Sequence, residues 1–261
     1  MSKPLEIIVP KWQAGLREMA RYKTDTAKLL RQQAKLAVLD MVKFTPPFSD
    51  ATLNEKGHAG ARRVGLEAVA RDVQRVFKPL DTIRALDDPP RGIAKAIKKK
   101  DWKAVEPFVQ NVLENKAARI FQEADPAMHQ RFRNRRGGIT AKKLSFFVAN
   151  TGSIKRLIKK KQDHVGKAKD GWSKAASALG LNLPNWITKH GSPGSVKDKS
   201  DAKLFQHIDV ANLVPYIQAA GADLRIVSRA LQNRARNMAK ELEHLIAARA
   251  RRAERAAARK V

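Results

Sequence analysis

The chain has 261 residues, of which 53 are Lys or Arg and 25 are Asp or Glu, so its formal net charge is +28. It contains no cysteine, which excludes disulfide scaffolds, cysteine-ligated zinc, iron–sulfur clusters and thiol catalysis. Since 43% of the residues are hydrophobic, we expect a folded core, and a charge that a polyanion, an acidic partner or a larger assembly neutralises.

The N-terminal half is predicted to be mainly helical. Apolar residues recur at three- and four-residue spacing within 11–44, and the prolines of Thr45-Pro46-Pro47 end that helix. Further helices are predicted over 60–77 and 102–123. The stretch 131–143 is basic and contains two adjacent glycines, which predicts a loop.

The C-terminal half is predicted to combine strands and helices. The segment 144–148 (LSFFV) is short and aromatic, which favours a strand, and 204–210 alternates as a half-buried strand does. Residues 165–180 are predicted to form a helix of small residues, and 190–201 a loop. No Gly or Pro interrupts 223–259, which predicts one long helix whose distal part is rich in alanine and charge.

These elements predict an α+β fold with a small antiparallel sheet flanked by helices, a long C-terminal helix and a mainly helical N-terminal half. We expect an N-terminal arm and helices over 1–78, and a helical insertion with a basic loop over 79–143. The stretch 144–261 would carry the small sheet and the long helix, and would form one domain with 1–78.

The positive charge is concentrated in the second half of the chain. Residues 1–130 hold 24 basic and 16 acidic side chains, whereas 131–261 hold 29 basic and 9 acidic ones. Since clustered like charges repel one another, we expect these clusters to contact DNA or a partner. The predicted contact residues are Arg131, Arg133, Arg135, Arg136, Lys142, Lys143, Lys155, Arg156, Lys159, Lys160, Lys161, Lys167 and Lys169.

The pattern of titratable residues does not favour catalysis. The histidines form no H-x-x-x-H, H-E-x-x-H or H-x-H pair, and neither a phosphate-binding G-x-x-x-x-G-K-[ST] nor a G-x-S-x-G motif occurs. His207 and Asp209 would share one face of a strand, where we interpret them as a surface pair. We therefore expect no enzyme activity, no cofactor and no metal site.

Membrane association is not expected either. The sequence contains no apolar run of 18 residues, and the opening residues MSKPLEIIVPKW lack the layout of a signal peptide. Four tryptophans are spread along the chain, and they suit anchors between elements or subunits as well as ordinary core positions. They are Trp12, Trp102, Trp172 and Trp186.

Several short motifs follow one another in a distinctive order. They are a helix over 34–39 that continues to the Thr-Pro step at 44–47, a glycine loop, the sequence VGKAK at 165–169, Gly171-Trp172, an Asn-x-x-x-Tyr segment at 212–216, and a helix over 230–246. In this order they resemble the tail-completion or neck proteins of long-tailed bacteriophages. The resemblance covers roughly 25–60 and 145–247, whereas 79–140 departs from the pattern and is interpreted as an insertion.

The resemblance implies a structural role in the virion, at the head–tail neck or the tail terminus, after synthesis in the host cytoplasm. It implies a homo-oligomeric ring, and as partners a connector or adaptor, a tail terminator or a tail tube. We infer that such a ring would surround the DNA channel and make non-specific contact with DNA. The alternative is a sequence-independent nucleic-acid-binding protein outside a virion, and the basic clusters alone leave open whether they face DNA or acidic protein.

Overall fold

The computed structural model of the chain describes residues 10–20, 26–47, 59–132, 146–202, 206–215, 217 and 222–258. The chain divides into two compact units. Residues 1–62 and 166–261 form the discontinuous unit, and residues 63–165 form the inserted unit.

Helices dominate both units. In chain order they are α1 (Pro10–Ala20), α2 (Thr26–Phe44), α3 (Ala59–Val76), α4 (Arg91–Lys98), α5 (Trp102–Val112), α6 (Pro126–Arg131), α7 (Thr151–Gln162), α8 (Lys167–Asp170), α9 (Ser173–Ala178), α10 (Asn185–Thr188) and α11 (Ala222–Ala258). The strands are β1 (Phe77–Pro79), β2 (Arg119–Phe121), β3 (Phe146–Val148), β4 (Gly194–Lys199) and β5 (His207–Asn212). The predicted α+β class, with its long C-terminal helix, is confirmed.

The discontinuous unit is built on α2 and α11. The helix α11 runs for 37 residues, as the absence of Gly and Pro predicts, and it packs against both α1 and α2. Its residues Ile226 and Ala230 meet Val38 and Val42 of α2 and the indole of Trp172 in one apolar core. Burial of these side chains is the main source of stability here.

An antiparallel strand pair completes this unit. Strand β4 pairs with β5 in a register that places Gly194 opposite Asn212 and Lys199 opposite His207. The small antiparallel sheet and a strand within 204–210 were predicted, but the prediction of a loop over 190–201 is wrong for Gly194–Lys199. The segment contains glycine, serine and charges of alternating sign, a pattern that does not predict a strand. It becomes a strand by pairing with β5.

The inserted unit contains a parallel sheet that the sequence did not predict. Strand β3 lies in the middle, with β1 and β2 on its two sides, so that both Phe77 and Arg119 stand opposite Phe146. All three residues of β3 are buried, as expected of a central parallel strand. The predicted strand is thus confirmed for 146–148, but it belongs to the inserted unit and not with the long C-terminal helix.

Two predicted helices are shorter than their patterns suggested. The helix expected over 102–123 ends at Val112, and Glu114 adopts a positive φ of 50° before β2 begins. The helix expected over 165–180 is divided into α8 and α9 by a turn at Gly171-Trp172. In both cases a local turn interrupts an apolar pattern that would allow a longer helix.

Candidate functional site

Helix α7 presents a basic face to solvent. Its apolar side packs into the inserted unit through Ile154 and Leu157, which are both 4% exposed. The opposite side carries four exposed cations, in two pairs spaced i and i+4: Lys155 with Lys159, and Arg156 with Lys160. Because residues four apart lie one turn above each other, these side chains form a continuous positive strip.

The surroundings of this strip neutralise little of its charge. The guanidinium of Arg156 lies 3.3 Å from a carboxylate oxygen of Glu123, and both side chains are at least 60% exposed. Such an exposed pair contributes about 0–1 kcal/mol. Lys159, Lys160 and the half-buried Lys161 lie in the last turn of α7, where cations interact favourably with the helix dipole.

The other predicted contact residues lie elsewhere. Arg131 ends α6 in the inserted unit and is exposed. Lys167, in α8, is half-buried and belongs to the discontinuous unit. Five predicted contacts lie outside the described residues: Arg133, Arg135, Arg136, Lys142 and Lys143.

Lys169 must be removed from the predicted contact surface. Its side chain is only 1% exposed, and its ammonium donates a hydrogen bond to the carbonyl oxygen of Val42, near the C-terminal end of α2. Desolvation by burial lowers the pKa of Lys169 from 10.5 to about 7. A buried amine in this position caps a helix, and it cannot reach a phosphate or a partner.

Lys169 belongs to a buried junction, which we define as Thr45, Lys169, Trp172 and Asn212. The indole N–H of Trp172 donates to Thr45 Oγ1 at 2.8 Å, and the Thr45 hydroxyl donates to the carbonyl of Met41 at 2.6 Å. The side-chain amide of Asn212 donates to the carbonyl of Ala168 at 2.9 Å. The end of α2 is thus hydrogen-bonded to two residues that lie 127 positions further along the chain, and Asn212 bonds the neighbouring residue of α8.

The sequence pattern could not have located this junction as a unit. Each of its residues belongs to one of the motifs on which the phage resemblance rests. Those motifs are far apart in the sequence, and they come together only in the folded chain. Trp172 is 1% exposed, so of the two interpretations of the tryptophans it takes the core position. The junction is therefore a feature that stabilises the fold.

The predicted pair of His207 and Asp209 lies on one face of β5, as expected. Its Nε2 and Oδ2 atoms are 4.0 Å apart, and the two side chains are 43% and 63% exposed. Among the residues that the structure describes, no group of three or more His, Asp or Glu side chains is placed to hold a metal ion.

A search of known proteins finds no relative of this chain: no family model, no curated protein and no solved structure matches it. Within the described part of the chain, no helix has the length and apolar character needed to cross a membrane.

Proposed function

We propose that this chain is a non-enzymatic structural protein of a bacteriophage virion, positioned at the head–tail neck or the tail terminus. It assembles there into a ring around the DNA channel. The order of its motifs, which resembles that of tail-completion and neck proteins, supports membership of that family. The same motifs form the buried junction, which stabilises the fold.

The observation that carries the assembly role is the distal part of α11. Beyond Leu245, which still packs against the core around Met19 and Met238, the side chains of α11 are largely exposed. Ile246 is 47% exposed, and Arg251 and Arg252 are exposed as well. A helix with so little to pack against gains stability from a neighbouring subunit or partner protein.

The assembly proposal is tested by light scattering coupled to size-exclusion chromatography, at low and high salt. We expect the wild-type chain to form a defined oligomer and to co-purify with phage particles. Ile246→Asp combined with Ala250→Asp should reduce the oligomer to monomer, because both residues are exposed on the distal helix. The matched control is Leu213→Asp, which changes an apolar residue of similar exposure, 48%, in the same unit.

Two results would overturn this proposal. One is a wild-type chain that is monomeric at every salt concentration and absent from particles. The other is a Leu213→Asp variant that dissociates as readily as the distal-helix variant, since the effect would then not be specific to α11.

A second candidate function, sequence-independent nucleic-acid binding outside a virion, is favoured by the basic strip of α7. Replacing its four exposed cations, Lys155, Arg156, Lys159 and Lys160, with Gln should weaken duplex DNA binding and reduce its salt dependence. A monomer that binds DNA through this strip, with affinity that falls steeply with salt, would favour this function over the first. Fluorescence anisotropy with two duplexes of unrelated sequence provides the measurement.

A further inference from the structure

The discontinuous unit contains an open cleft of about 1040 Å³, and none of the residues that line it belongs to α7. One wall is the C-terminal end of α2, and the other is one face of α11. Its lining is mainly polar: Asp40, Lys43, Phe44, Leu224, Arg225, Ser228, Arg229, Gln232, Asn233, Arg234, Arg236 and Asn237.

The charge of this cleft is strongly positive. Five of the lining side chains are Lys or Arg, and Asp40 is the one carboxylate among them. That carboxylate is already paired, because its Oδ2 accepts hydrogen bonds from Arg234 Nε and Asn233 Nδ2, each at 2.8 Å. Asp40 and Arg234 are 5% and 9% exposed, so this pair forms the floor of the cleft, and the lining also contains Lys43, Arg225, Arg229 and Arg236.

Three arginines and one glutamine of α11 form a row. Arg225, Arg229, Gln232 and Arg236 recur at intervals of four, three and four residues, which places them along one face of the helix. From the first to the last the row is about 16 Å long, at 1.5 Å per residue. That length equals the rise of about five nucleotides along one strand of duplex DNA.

One member of the row is held in place. The guanidinium carbon of Arg229 lies 4.5 Å from the centroid of the Phe44 ring. A cation over an aromatic face is attracted by the ring quadrupole, which orients the guanidinium before a ligand arrives. The same contact covers a face of Phe44, so Leu224 supplies the remaining apolar surface of the lining.

This chemistry favours a phosphodiester backbone over an acidic protein. Phe44 and Leu224 are the apolar side chains of this lining, and Arg229 stacks on the Phe44 ring, so the lining lacks the central cluster of apolar anchors that is typical of protein interfaces. Phosphate oxygens accept hydrogen bonds from Arg and Lys, and also from Ser, Asn and Gln, which are the uncharged polar residue types of the lining. Contacts of this kind carry no sequence information.

We propose that the cleft between α2 and α11 is a second nucleic-acid site, which binds the phosphodiester backbone of duplex DNA without sequence preference. It shares no residue with the α7 strip, and it does not depend on the proposed role in the virion. The row on α11 follows one strand, and Lys43 on α2 contacts it from the other side of the cleft.

The test compares two triple variants of the full chain by fluorescence anisotropy with a 30-base-pair duplex over a range of salt concentrations. The cleft variant carries Lys43→Gln, Arg229→Gln and Arg236→Gln. Its matched control carries Lys174→Gln, Lys189→Gln and Lys197→Gln, which remove the same charge from exposed positions of the same unit outside the cleft. Circular dichroism confirms that both variants are folded.

The cleft variant should lose at least about tenfold in affinity at low salt, and the slope of log K against log salt should become shallower by about 2 to 3. The control should change affinity less than about threefold, because it removes long-range attraction alone. Equal losses in both variants, or DNA binding that disappears only when the α7 strip is neutralised, would overturn the proposal. Poly-glutamate serves as a probe for acidic protein in the same assay. A cleft variant that loses affinity for poly-glutamate but binds DNA as tightly as the wild type would also overturn the proposal, because the cleft would then be a site for acidic protein.

A single substitution keeps the test decisive if the triple variant does not fold. Arg236 is exposed, so Arg236→Glu perturbs packing little. It should weaken DNA binding more than Arg236→Gln, whereas Arg236→Lys should retain most of the affinity. The same affinity for all three would overturn the proposal.

Discussion

The indole N–H of Trp172 donates a hydrogen bond to the hydroxyl oxygen of Thr45 at 2.8 Å, across 127 positions of the chain. Both residues are almost completely buried, at 1% and 0% exposure. The bond joins the turn between α8 and α9 to the end of α2. It therefore links two segments whose relative position determines the core of the discontinuous unit.

Thr45→Val should destabilise the chain by about 1–3 kcal/mol, because it leaves the buried indole N–H of Trp172 without its acceptor while changing side-chain volume little. The measurement is equilibrium unfolding in urea. A double-mutant cycle with Trp172→Phe isolates the bond, and a coupling energy of at least about 0.5 kcal/mol is expected. Strictly additive effects of the two substitutions would contradict this account.

The pKa of Lys169 predicts a pH dependence of stability. Because burial lowers this pKa to about 7 in the folded state from 10.5, the unfolded chain binds more protons between those values. The sign follows: the free energy of unfolding should rise with pH from about 7 to 10.5, and the cost of burying the charged amine is fully present below pH 7. The contribution is on the order of a few kcal/mol.

Lys169→Met tests this dependence. The variant loses the hydrogen bond to Val42, which shifts its stability by a similar amount at every pH, but its unfolding free energy should rise less steeply above pH 7 than that of the wild type. Lys174→Met, at an exposed position of α9, serves as the control and should keep the wild-type slope. Parallel profiles for Lys169→Met and the wild type would show that the buried amine does not titrate in this range.

The sequence predicted those elements whose pattern is long and local. Helix α11 follows from 37 residues without Gly or Pro, and β5 from its alternation. The strands β1 and β2 were not predicted, because each is three residues long and forms by pairing with β3, which is distant in the sequence. Tertiary contact overrides local propensity in such short segments.

The site was less predictable than the fold. Lys169 belongs to a run of basic residues, and nothing in its neighbours along the chain distinguishes a buried lysine from the exposed ones of α7. Its burial follows from the packing of α8 against the end of α2. The row on α11 is not recognisable as a site from the sequence for a related reason, since it lines a cleft only when α2 lies beside it.

Gly171→Ala should be strongly destabilising. A Cβ at this position would overlap the side-chain amide of Asn212, and the carbonyl of Gly171 lies equally close to the place where a Cβ on Gly194 would stand. Either the amide must move and lose its bond to Ala168, or the strand must shift, and overpacking of this kind costs about 1–3 kcal/mol or more. Thermal unfolding measures the loss.

Gly92→Ala provides the control for that substitution. Apart from its chain neighbours and the backbone of its own helix, no atom lies within 4 Å of a Cβ at Gly92, which is in the first turn of α4. Since alanine reduces the entropy of the unfolded chain, this variant should be unchanged or more stable by up to about 1 kcal/mol. A Gly171→Ala variant that melts with the wild type would refute the close approach of this turn to Asn212.

The buried ion pair of Asp40 and Arg234 should be costly to break from one side. Asp40→Ala removes the carboxylate that Arg234 contacts at 2.8 Å and leaves a guanidinium that is 9% exposed, so we expect a loss of about 3–5 kcal/mol. Replacing both partners, as Asp40→Leu with Arg234→Met, should recover most of that stability, because no uncompensated charge remains. Asp209→Ala, in the exposed pair with His207, should change stability by less than about 0.5 kcal/mol. Urea unfolding measures the stability of the wild type and of the three variants. If the double replacement is as unstable as Asp40→Ala, the cost arises from lost packing and not from the buried charge.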